Sequence, residues 1–260
     1  MCAACLANGI EPVVTFHHFT NPRWVAAEGG WHTASTVERY LRFVERTVAH
    51  LGDLIGAACT INEPNIVAFI GYQLGIFPPG LVDDALYGAA MDNFSSAHER
   101  VVPIIKAGPG DFPVGLTLSM SEYVAVPPDD LDAVARRDRL RREVEDRFLE
   151  LATGDDFIGV QTYSRTRVGA KAVLGAEPGV PVLPMGYEFW PQALAATIRR
   201  VWEYTDGAIP IVVTENGIGT DDDSQRLDYV RQALHGVLDC IDEGIDVQGY
   251  TYWSLLDNFE

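Results

Sequence analysis

The chain has 260 residues, 47% hydrophobic and 22% charged, enough for one large globular domain or two small ones. Nineteen basic against thirty-seven acidic residues leave a formal net charge of −18. That field repels phosphate backbones and anionic lipid surfaces, so neither nucleic acid nor a membrane is an expected partner. No apolar run approaches the roughly 18 residues of a transmembrane helix. The first residues, MCAACLANGIEP, have neither a basic start nor a sustained apolar stretch, so no signal peptide is read and the cytoplasm is the expected location.

Cys2, Cys5, Cys59 and Cys240 are too few in a chain of this length for a disulfide framework. The Cys2-x-x-Cys5 pair has no second CxxC and no nearby His pair to complete a zinc site, and His17-His18 has no further ligands. No metal and no cofactor are therefore expected. The sequon Asn93-Phe94-Ser95 would matter only in a secreted protein.

Pro12–His18 reads as a first strand. Behind it Val37, Tyr40, Leu41, Val44, Val48 and Leu51 repeat at helical spacing, after a capping box formed by Ser35 and Glu38. A second strand spans Ala58–Glu63 and a third Pro113–Ser119. The stretch from Asp129 to Glu150 is dense in Arg, Asp and Glu with a thin apolar stripe, the pattern of a solvated outer helix. A fourth strand covers Phe157–Ser164. Pro191 opens a helix with Leu194, Ile198, Val201 and Trp202 on one face, and a fifth strand runs from Pro210 to Glu215. Leu227, Val230, Leu234, Val237, Leu238 and Ile241 form the apolar face of a further helix, stopped by Gly244, and the last strand is Val247–Ser254.

No linker, repeat or low-complexity segment divides the chain, so residues 1–260 are expected to form a single domain. Alternating strands and helices imply parallel strands with helical crossovers, hence a doubly wound sheet or a (β/α) barrel. Two features favour the barrel. No GxGxxG follows the first strand and there is no P-loop, so the nucleotide signatures of a doubly wound sheet are missing. Polar and titratable residues also close nearly every strand: His17 and His18, Asn62 and Glu63, Gln161 and Tyr163, Glu215, and Trp253. In a barrel those ends meet at one mouth, where active sites are built.

The segment IVVTENG, residues 211–217, sets a carboxylate at the tip of a β-branched strand and then turns on Asn216-Gly217. TINEPN, residues 60–65, does the same with Glu63, which Pro64 follows at once. Two carboxylates presented at one rim match what cleavage of a glycosidic bond requires, one to protonate the leaving oxygen and one to attack or to activate water.

TINEPN, IVVTENG and GYTYWSLLDNFE together resemble glycoside hydrolase family 1, the β-glucosidase family. GIEPVVTFHHFTNPRW followed by GGW is similar to that family's third strand and the loop after it, and DFIGVQTYSR to its sixth. The resemblance implies a (β/α)8 barrel, cleavage of small β-glycosides or oligosaccharides, and retention of anomeric configuration. It implies Glu63 as general acid/base and Glu215 as nucleophile. His18, Asn62, Trp253 and Glu260 match positions that bind the terminal sugar, and Tyr163 matches a tyrosine that hydrogen-bonds the nucleophile. On this reading an ionised Glu215 keeps a proton on Glu63. Once Glu215 is esterified by the sugar, Glu63 becomes more acidic and acts as base toward water. His17, its side chain on the opposite face of the strand, is expected to stand apart from the site.

The resemblance begins at the family's third strand, so six of eight barrel strands are counted and the domain is expected to be truncated at both ends. Strand starts are spaced by roughly 35 to 55 residues, so eight such units need more than the ~250 of a compact barrel. Gln161-Thr162 stand where the family commonly has Asn-Tyr, and Phe19-Thr20 where it has Trp-Asp. Both changes fall on sugar contacts and leave the two Glu positions intact. A second expectation is therefore a non-catalytic remnant that binds sugar weakly.

Overall fold

The computed structural model describes residues 1–256, so Glu260 lies outside the described residues. The chain divides into two compact units, Met1–Leu118 with Gly154–Phe157, and Ser119–Thr153 with the residues from Ile158 onward. Among the described residues no helix is long and apolar enough to cross a membrane.

The first unit runs α1 (Cys2–Ala7), β1 (Val13–His18), α2 (Arg23–Ala27), α3 (Ala34–Leu51), β2 (Ala57–Asn62), α4 (Pro64–Ala68), α5 (Asp84–Ala107) and β3 (Val114–Ser119). Strand β2 pairs in parallel with both β1 and β3. Its Ala58, Cys59 and Ile61 are buried, as a strand covered on both faces must be. Helix α3 buries the face expected from its spacing, Val37, Tyr40, Leu41, Val44 and Val48. Its start differs from the expected capping box. Thr33 is the N-cap with no side-chain cap bond, and Glu38 reaches across to Arg100 on α5 at 2.7 Å. Helix α5 is capped in the ordinary way, with Asp83 accepting from the amides of Ala85 and Leu86.

The second unit contains β4 (Glu122–Ala125), α6 (Leu131–Arg141), α7 (Arg147–Ala152), β5 (Phe157–Gln161), β6 (Arg165–Val168), α8 (Ala193–Tyr204), β7 (Ile211–Asn216), α9 (Asp223–Asp242) and β8 (Val247–Tyr252). Strand β7 lies between β5 and β8, all parallel. Strands β4 and β6 form a small parallel pair that the sequence pattern does not reveal. Each is four residues long, too short for a periodicity to register.

Two helical regions differ from expectation. The segment 129–150 is not one solvated helix. It is α6 and α7 joined by a π-helical turn at Arg142–Asp146, and it buries Val144, Phe148 and Leu149. On α9 the buried residues are Tyr229, Ala233, Val237 and Cys240, while Leu227, Leu234, Leu238 and Ile241 remain exposed. The helix was expected to bury that leucine stripe. Of the expected face Val237 is buried, and the helix packs through it together with the adjacent Tyr229, Ala233 and Cys240.

Glu145, within the π turn, is fully buried. It accepts from the amide of Ser121 at 3.0 Å and pairs with Arg200 at 2.8 Å. Burial raises its carboxyl to about 7, with Arg200 opposing the shift. Between its ordinary value of 4.5 and about 7, the folded state holds a proton that the unfolded chain has released. This group's contribution to stability is therefore complete below about 4.5 and is lost as pH rises through about 7. In the intact polypeptide carrying these residues, Glu145→Gln should flatten that part of the pH–stability curve. Urea midpoints at several pH values between those limits measure it, and an unchanged slope would show that other groups set the dependence.

Candidate active site

In the first unit, β2 ends in an irregularity. Against β3, Cys59 pairs with Gly115 but Asn62 pairs with Thr117, so β2 holds one extra residue over that interval. Such a bulge re-aims the side chains that follow it. Here they are Asn62 and Glu63, 2% and 6% exposed. The Asn62 amide nitrogen lies 3.4 Å from His18 Nε2, and its Oδ1 faces the Thr117 hydroxyl at 3.3 Å. Glu63 donates its amide to the Thr117 carbonyl at 3.0 Å. It then enters the left-handed region at φ 44°, ψ 53° and N-caps α4, with Pro64 in the first helical position. For a non-glycine residue that conformation costs roughly 1–3 kcal/mol, a strain that collects at functional sites.

His17 turns away from this group, as its place in the strand requires. Its Nε2 accepts from the Trp31 indole at 3.1 Å, and the two rings meet edge to face. Burial lowers its pKa to about 4, so the ring is a neutral acceptor in the packing around Trp31.

The second unit repeats the device. Against β5, Val213 pairs with Val160 and Glu215 with Gln161, so β7 carries an extra residue immediately before its acid. Glu215 is 7% exposed, and Oε2 accepts a 2.5 Å hydrogen bond from the Tyr163 hydroxyl. Tyr163 is itself held, because its carbonyl accepts from the Tyr229 hydroxyl at 2.7 Å. Asn216, taken from the sequence as a turn residue, is the fully buried last residue of β7. Its amide donates to the Thr162 carbonyl at 2.6 Å and to Tyr229 at 3.1 Å, and its Oδ1 accepts from Tyr250 at 2.8 Å. Burial raises both phenols, Tyr250 to about 12, so both keep their protons to donate.

Trp253 joins this group through its backbone, donating its amide to the Asn216 carbonyl at 2.9 Å. Its carbonyl comes so near Gly217 that a Cβ there would lie 2.3 Å from the oxygen. Close approach is thus why the turn after Glu215 carries a glycine. The structure brings His18, Asn62 and Glu63 together in one unit, and Tyr163 and Glu215 together in the other with Trp253 beside them. Sequence reasoning missed Thr117, Tyr229 and the buried role of Asn216. The one available signal was an Asn, able to donate and accept at once, directly after the acid of a β-branched strand.

The family model for glycosyl hydrolase family 1 matches residues 1–158 and 156–260. The chain belongs to glycosyl hydrolase family 1. Among its relatives, a beta-galactosidase of Sulfolobus acidocaldarius is 30% identical, with 97% of this chain and 60% of that protein covered. Beta-glucosidase A of Thermotoga maritima is 26% identical over 98% of this chain and 67% of its own length. The solved structure of beta-glycosidase BGL167 is 41% identical and superposes with a TM-score of 0.87, covering all of this chain and 66% of that one. The family 1 beta-glucosidase of Exiguobacterium antarcticum gives 29% identity and a TM-score of 0.92, over all of this chain and 68% of that one. The expected fold class stands: an incomplete (β/α) barrel, with six of its parallel strands in these residues. The chain spans about 60% of the length of the Sulfolobus acidocaldarius and Saccharolobus solfataricus beta-galactosidases that it matches.

Proposed function

We propose that these residues are the catalytic portion of a cytoplasmic, retaining β-glycosidase acting on small β-glycosides or oligosaccharides. What carries the reading is that both acids expected from the sequence stand just after a bulge at a parallel strand's C-terminal end, in a family 1 chain. Glu215, oriented by Tyr163, attacks the anomeric carbon, while Glu63 protonates the departing oxygen. Water, deprotonated by Glu63, then releases the sugar from Glu215. Retention requires the two carboxyl groups about 5 to 5.5 Å apart in the working enzyme. His18 and Asn62 hold sugar hydroxyls, Trp253 offers its ring as an apolar platform, and Glu260 accepts from hydroxyls remote from the reacting carbon. The relatives' names, beta-galactosidase and beta-glucosidase, support a β-linked hexose as substrate and leave the choice between them open.

The test is the configuration of the first product. Proton NMR of an aryl β-glucoside mixed with the intact polypeptide should show the β-anomer forming before mutarotation. An α-anomer appearing first would mean a single displacement by water and would remove the nucleophile's role from Glu215. The span of about 60% of the two beta-galactosidases supports a second reading, in which these 260 residues alone bind sugar without turning it over.

A further inference from the structure

Helix α5 carries a buried imidazole that the proposed reaction does not use. His98 is 2% exposed, with Nδ1 2.9 Å from the Thr60 hydroxyl and Nε2 3.2 Å from Asp155 Oδ1. The Asp155 side chain is buried as well, on the turn before β5. The Asp155 carboxylate thus orients the ring through Nε2 and turns Nδ1 to the Thr60 hydroxyl. Thr60, fully buried, is gripped a second time, because its carbonyl accepts from the Tyr40 hydroxyl of α3 at 2.5 Å.

What makes the place of this clamp informative is the register of β2. The extra residue lies between Cys59 and Asn62, an interval holding only Thr60 and Ile61. On the other side of it, the Thr117 hydroxyl faces the Ile61 carbonyl at 3.3 Å. So α3 and α5 hold the strand where its register against β3 slips, and Glu63 follows three residues after Thr60. Against β1 the register runs on unbroken, but against β3 the extra residue has no regular partner, so on that side, side-chain contacts fix its shape.

We propose that His98, oriented by Asp155, is a positioning residue for Glu63: it locks Thr60, and thereby the β2 bulge that aims the acid. This rests on the reading of Glu63 as the general acid/base. A histidine that merely fills the space between α5 and the sheet would support the whole unit evenly. A clamp on the bulge acts on residues 60–63 first.

The experiment compares Thr60→Val, His98→Leu and the conservative Thr60→Ser in the intact polypeptide. Thr60→Val keeps the side-chain shape and removes the hydroxyl. Hydrogen exchange should quicken about tenfold or more at Ile61–Glu63 in Thr60→Val and His98→Leu, with β1 and α3 nearly unchanged. On an aryl β-glucoside, kcat should fall about tenfold with KM within about threefold, and Thr60→Ser should recover both. Exchange that quickens evenly over the first unit, or not at all at Ile61–Glu63, would overturn the proposal. A loss carried by KM would do so too. Should the unaltered protein hydrolyse nothing, the reading of Glu63 fails on that result, and the exchange measurement still decides whether His98 holds the bulge.

Discussion

Replacing Glu215 with glycine in the intact polypeptide is expected to reduce β-glycoside hydrolysis by a factor on the order of 10⁴ or more. Azide or formate should then restore part of the rate. The carboxylate is the attacking group in the proposed reaction, so its loss leaves no covalent route. The acid on Glu63 survives the change, and so does the space that the side chain filled. A small anion entering that space attacks from the same side as Glu215 did, and azide leaves as the α-glycosyl azide. Rescue also shows that the variant is folded, which a bare loss of activity does not. Retention of near-normal activity without added anion would mean that Glu215 is not the nucleophile. Tyr163→Phe provides a graded comparison. It removes the 2.5 Å hydrogen bond to Glu215 and leaves the carboxylate in place, so its loss should be far smaller.

The second large effect concerns the 260 residues expressed by themselves. Among the described residues β1 is paired only with β2, and β8 only with β7. Beside β1, Phe16, Trp24, Tyr40 and Phe43 line an apolar cavity of about 370 Å³, and Val13 and Phe43 are 60% and 53% exposed. In the other unit, Leu227, Leu234, Leu238 and Ile241 form an exposed stripe along α9. Each large apolar side chain is worth roughly 1.5–3 kcal/mol when buried, and whole domains are stable by only about 5–15 kcal/mol. Open strand edges beside apolar faces are also templates for association. Expressed alone, the 260 residues should therefore aggregate, bind a hydrophobic dye such as ANS and show no turnover. A monomer with a cooperative melt, and hydrolysis abolished by Glu63→Gln, would show that these faces need no cover.

Five of the six expected strands lie within two residues of their expected ends, and the fourth stops at Gln161 instead of Ser164, for a plain reason. β-branched and small apolar runs such as Ile158–Val160 and Ala58–Ile61 are buried on both faces, and that pattern survives in any parallel sheet. The acids were legible because a carboxylate at a buried strand's tip, with a Pro or Gly stop beside it, is costly without a use. Helix faces were less so. On α9 the largest apolar residues do not mark the packed side, because the sequence records hydrophobicity and not which neighbours are present to cover it. The segment around Glu145 looked solvated because its charges were counted singly. Its pairing with Arg200, fifty-five positions away, lies beyond any local pattern.

By itself, then, the sequence determined the order of the six long strands, the family, and the placing of two acids at strand tips with Tyr163 near one of them. Those follow from short motifs whose residues lie next to one another in the chain. Only the tertiary structure decided how each acid is aimed. The bulges before Glu63 and Glu215 exist as mismatches of register between strands separated by about fifty residues, and no single strand contains them. The holdings of Thr60 by Tyr40 and His98, and of Asn216 by Tyr229 and Tyr250, are likewise contacts between elements distant in sequence. A buried polar group must find its partner wherever the fold brings one within reach, and the residues adjacent in the chain do not say where that is.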